Sequence, residues 1–131
     1  MKLLLDTNAY TAMKRGHPGV VAHIRAATAL CLSTVVVGEL LHGFRHGQRY
    51  AANVAELEAL LDHPLCSFAG VDWDTAVHFA RIAADLRRIG RPIPSNDIWI
   101  AAQCWQQGAT LLTSDGDFAH VAGLAWVRFA A

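Results

Sequence analysis

Four carboxylates in this chain of 131 residues stand where their spacing could support chemistry. Asp6 closes the apolar run Lys2-Leu3-Leu4-Leu5, and Asp115 lies just past a second such run at 109–113. Asp97 falls in the first turn of a helical segment behind the Pro-containing stretch Arg91-Pro92-Ile93-Pro94. Glu39 interrupts the apolar residues 35–41, where a carboxylate is costly to bury without a partner. Acids at strand ends and helix starts can converge on one crevice. Four together repel one another and raise their pKa values unless a cation neutralises them. Hard oxygen donors suit Mg²⁺ or Mn²⁺, and Mg²⁺ keeps several waters and accepts phosphate oxygens. The chemistry implied is phosphodiester hydrolysis, with the cation activating water and screening charge on phosphorus. Singly, each acid has a plainer explanation: Asp6 as a helix cap, Asp97 as a partner of its helix dipole, Asp115 as a turn residue.

The elements that must position these acids can be read from apolar periodicity. Residues 2–5 form a continuous apolar run, as expected of a parallel strand buried on both faces. Further strands are expected at 30–33, 65–71, 109–113 and 124–129. Helices are expected from Asp6 to Gly16, from Pro18 onward, around Glu39, over 50–62, from Asp72 or Asp74 to Gly90, and over 97–107 with Ser95 or Asn96 as cap. No linker, repeat or low-complexity stretch divides the chain, so one domain is expected over 1–131. Strand and helix alternate, which gives an α/β fold with a central, mainly parallel sheet flanked by helices on both faces. Sites in such sheets lie at the carboxyl ends of the strands.

Four motifs in order, LLLDTN, GELLHG, RRIGRPIPSNDIWIAA and LLTSDGDF, resemble those of PIN-domain nucleases, and more narrowly VapC-like toxins of toxin–antitoxin pairs. The resemblance spans essentially the whole chain. It implies a PIN-like three-layer α/β/α fold and a Mg²⁺-dependent endoribonuclease, with Mn²⁺ as an alternative cation. Asp6, Glu39, Asp97 and Asp115 would form its metal-binding, catalytic quartet, helped by Asn8, Thr113 and Asp117 holding metal or water. It also implies an RNA substrate such as tRNA or rRNA, a VapB-like antitoxin, operator DNA reached only through that antitoxin, and a homodimer. Such relatives often carry Tyr where this chain has His42.

Composition bounds the alternatives. Apolar residues make up 53%, enough for a core and suggestive of a self-association face. The 11 basic residues balance 11 acidic ones, so no bulk charge announces nucleic acid. Setting the quartet aside leaves 7 acids, and a basic rim around a metal centre becomes possible. Arg45, Arg49, Arg87, Arg88 and Arg91 are its candidates, with His42 as a further RNA contact. No run approaches membrane-spanning length, and the opening MKLLLD does not read as a signal peptide, so a cytoplasmic protein is expected. Cys31, Cys66 and Cys104 lack a CxxC spacing and read as buried free thiols. His42 and His46 share a helix face with Glu39, but without HExxH or a cysteine partner they make a poor zinc site. Trp73, Trp105 and Trp126 read as packing residues, and Trp99 as a candidate for the dimer interface. A haloacid-dehalogenase-type phosphatase would need Asp where the chain has Asn8. A binding module without catalysis would leave the acids unexplained.

Overall fold

The computed structural model describes residues 1–131 and has the expected alternation. In chain order the elements are β1 (Lys2–Leu5), α1 (Thr7–Lys14), α2 (Pro18–Ala26), β2 (Ala29–Ser33), α3 (Thr34–Arg45), α4 (Tyr50–Leu61), β3 (Cys66–Ala69), α5 (Trp73–Arg88), α6 (Ser95–Gln107), β4 (Thr110–Thr113) and β5 (Trp126–Arg128). The five strands form one parallel sheet in the order β3-β2-β1-β4-β5. Leu3, Leu4 and Leu5 in β1 and Leu111 and Leu112 in β4 are fully buried. Consecutive buried leucines require cover on both sides of the sheet, and each contributes about 1.5–3 kcal/mol.

Strand order reverses between β1 and β4, since the chain moves outward to β2 and β3, then returns to the other side of β1. In an open parallel sheet that reversal opens a crevice beyond the strand ends. Leu5 pairs with Leu112, so the residues that follow, Asp6 and Thr113, leave the sheet side by side at this crevice.

Local chemistry sets the helix ends. Asp6 caps α1 by accepting the Thr7 N–H at 2.8 Å, and the Ser33 hydroxyl caps α3 by accepting from Val36 at 2.9 Å. Asp72 rather than Asp74 caps α5, with Thr75 completing a capping box. Gly108 ends α6 at φ 60°, a left-handed conformation natural to glycine.

Some sequence expectations need correcting. Neither Ser95 nor Asn96 caps α6; the helix already starts at Ser95, so Pro94, which has no side-chain acceptor, occupies the cap position. Trp73 is 81% exposed at the start of α5 and Trp105 is 40% exposed, so neither is a core residue. Trp99 stacks on Phe79 of α5, with ring centroids 4.1 Å apart, and so packs within its own chain. All three thiols are free, but only Cys31 and Cys104 are buried; Cys66 is half-buried on the edge strand. The turn after β4 winds into a short 3₁₀ helix, Gly116–His120. No helix is long and apolar enough to cross a membrane.

Candidate active site

The four acids come from four separate segments. Asp6 follows β1, Glu39 lies in mid-α3, Asp97 in the first turn of α6, and Asp115 after β4. All four line one cavity of about 720 Å³ at the β1/β4 crevice, together with Thr7, Asn8 and Ser114. Asp6 is nearly buried, at 5% exposure, and both of its carboxylate oxygens accept hydrogen bonds. One oxygen accepts the Thr7 N–H; the other accepts the Thr113 hydroxyl at 2.7 Å and the Asn8 amide at 3.3 Å. Asp6 thus caps α1 and lines the cavity at once.

Asn8 and Thr113 tie the two strand ends together. The Asn8 side-chain oxygen accepts the Ser114 N–H at 3.0 Å, and the Thr113 hydroxyl accepts the Asp115 N–H at 3.0 Å. Asp115 accepts the N–H of Asp117 at 2.9 Å, which starts the 3₁₀ helix and aims the loop. Glu39 is held from both sides, by the Thr7 hydroxyl at 2.9 Å and the Asn96 amide at 2.8 Å. Glu39 is only half-buried, facing the cavity and not the apolar core, and these two donors satisfy its carboxylate there.

Charge is concentrated here. Burial, reinforced by Asp6, Asp115, Glu39 and Asp117, pushes the Asp97 carboxyl up to about 6. Burial also raises Asp6, opposed by its hydrogen bonds to Thr113 and Thr7 and reinforced by Glu39 and Asp115. Such mutual repulsion is what a cation would relieve. The donors are all oxygen, which fits a hard divalent ion. They form an open array: no three His, Cys, Asp or Glu side chains close on a single point.

A PIN domain family model matches residues 3–124. The chain belongs to the PIN domain family. Two relatives are similar over nearly their full length. Ribonuclease VapC5 of Mycobacterium tuberculosis is 31% identical, covering 95% of this chain and 91% of its own. The tRNA(fMet)-specific endonuclease VapC of Shigella flexneri is 28% identical over 95% of each. Among solved structures, VapBC-1 from nontypeable Haemophilus influenzae superimposes with a TM-score of 0.85 at 26% identity, over 98% of each chain.

In this PIN domain the basic residues singled out from sequence lie outside the acid cavity. The Arg45 guanidinium covers the Tyr50 ring at 4.4 Å, and Arg49 borders a second groove with Tyr10, Lys14 and Phe44. Arg87 and Arg88 border a shallow groove along α5, where Arg88 pairs with Asp85. Arg91 is exposed in the loop before α6, and His42 packs edge-on against His46. The cavity instead contains Arg15 and His17, from the turn between α1 and α2, which sequence reading passed over. It also passed over Thr7 and Asn96. Each adjoins a site acid in sequence, and that adjacency was the available signal.

Proposed function

We infer that this PIN domain is a VapC-type endoribonuclease, the toxin of a toxin–antitoxin pair, and that it hydrolyses RNA phosphodiester bonds. The single observation that carries the proposal is the convergence of Asp6, Glu39, Asp97 and Asp115, from four segments, on one cavity at the strand-order reversal. These four would hold Mg²⁺, or Mn²⁺ in its place, through an open set of oxygen donors that leaves room for water and substrate oxygens. When bound, the cation supplies a lowered pKa for water and screening of charge developing on phosphorus.

The chain's own residues supply the positioning. Asn8 and Thr113 lock Asp6 and the Asp115 loop into one unit, Thr7 and Asn96 fix Glu39, and Asp117 orders the loop that carries Asp115. The substrate is RNA, with tRNA favoured by the name of the Shigella relative. A VapB-like antitoxin is the proposed partner, as the name of the Haemophilus VapBC-1 structure suggests, and operator DNA would be reached through that antitoxin. A homodimer completes the proposal. Asn8, which donates to Asp6 where a phosphatase of the haloacid-dehalogenase type needs a second acid, speaks against that alternative.

The deciding experiment titrates Mg²⁺ and Mn²⁺ against a structured RNA pool with antitoxin-free protein, alongside Asp6→Asn prepared identically. Metal-dependent cuts absent from the variant are expected. Equal cleavage by both proteins would mean contamination and remove the assignment.

A further inference from the structure

A cavity walled by four acids is a poor place for a polyanion, so the strand being cut needs an attractive partner beyond the quartet. Helix α1 provides a path to one. Thr7, Asn8, Thr11, Ala12 and Arg15 all line the cavity, and their spacing puts them on one helical face. At about 1.5 Å per residue this stripe runs about 12 Å, from the acids to the turn at Gly16. Arg15 stands at its far end.

The other cations nearby are committed. Lys14 points the other way and pairs with Glu56 at 3.0 Å. His17 uses both ring nitrogens: Nδ1 accepts the Val20 N–H at 3.2 Å, and Nε2 lies 2.7 Å from the Ala130 carbonyl oxygen. An Nδ1 that accepts leaves the proton on Nε2, so His17 is spent on capping α2 and clasping residues 129–130. Arg15 belongs to neither of the chain's two ion pairs and is exposed to the cavity. Gly16, at φ 74°, ends α1 and fixes where the guanidinium starts.

We propose that Arg15 is a substrate-binding residue whose guanidinium holds a backbone phosphate flanking the scissile one, with the polar stripe of α1 as the track for the strand. The assignment rests on the ribonuclease reading above. A distance of about 12 Å from Thr7 places the contact on a neighbouring phosphate and not on the one under attack. Guanidinium suits it because its planar fork donates in pairs to phosphate oxygens.

The test has two arms. Binding of end-labelled total tRNA is measured in the Asp6→Asn background across a salt series, with and without Arg15→Ala. Loss of one phosphate contact should reduce the log–log salt slope by about 0.7. Arg15→Gln should do the same while keeping the side-chain stem, and Arg15→Lys should restore the slope but only part of the affinity. Steady-state cleavage in the otherwise wild-type protein should show KM raised about tenfold in Arg15→Ala with little change in kcat, the mark of uniform binding. An unchanged slope in both charge-removing variants, while wild type cleaves RNA, overturns the Arg15 assignment and leaves the nuclease standing. No RNA cleavage or binding by any form overturns the nuclease reading and Arg15 with it.

Discussion

Asp97 carries the clearest consequence at the scale of single residues. Its carboxyl keeps a proton to about pH 6 in the folded protein, but titrates near 3.8 once exposed. Between those values the folded state binds more protons than the unfolded one, so raising the pH weakens the fold. Without metal, Asp97→Asn and wild type should therefore melt at similar temperatures near pH 4, and the variant should melt higher above pH 6. On the proposed metal site, Mg²⁺ should raise the Tm of wild type and not of the variant, since an ion bound by the native state alone stabilises it. Thermal melts at three pH values, with and without Mg²⁺, test both; a variant that keeps the full Mg²⁺ stabilisation takes Asp97 out of the site. Asn8→Ala should act differently. It strands the Ser114 N–H and loosens Asp6, so it should cost about 1–2 kcal/mol in urea denaturation and also slow cleavage.

Elements were legible where burial imposes a pattern. The leucines of β1 and β4 announced strands covered on both faces, and Pro18, Gly16 and Gly108 marked helix ends that the structure reproduces. The tryptophans were less readable, because periodicity says which residues share a face but not whether that face is covered. Trp73 stands exposed at the start of α5, and Trp105 is only partly covered. The α6 cap failed for another reason: the helix starts earlier than expected, at Ser95, and leaves Pro94 to precede it. A five-residue 3₁₀ helix is too short for any period to appear. The four acids could be picked out as types and placements, and the structure brings them to one cavity; that Arg15 joins them there was hidden, because nothing in sequence says that the α1–α2 turn faces them. At this scale Gly108→Ala should cost about 1–2 kcal/mol, since a Cβ there meets open space and the penalty is backbone conformation alone. Urea melts measure it, and cleavage well below Tm should be unaffected.

For the whole molecule, neutral net charge hides a local asymmetry: acids gathered in one cavity leave the remaining surface basic. If Arg91 belongs to that basic rim, Arg91→Ala should weaken RNA binding and flatten its salt dependence, which anisotropy at several salt concentrations would show. Chelation should abolish cleavage and lower Tm together, and Mg²⁺ should restore both.

The pairing of β1 with β4 has a consequence in time. Leu3 meets Thr110 across most of the chain, and Asp6 stands beside Thr113 and Asp115 only once that pairing forms. Synthesis at about 5–20 residues per second delivers Asp6 first and Asp115 many seconds later. Until then a growing chain carries the opening acid without the strand that completes its surroundings. A site built in this order stays incomplete until β4 emerges, and a chain interrupted before β4 lacks both Thr113 and Asp115.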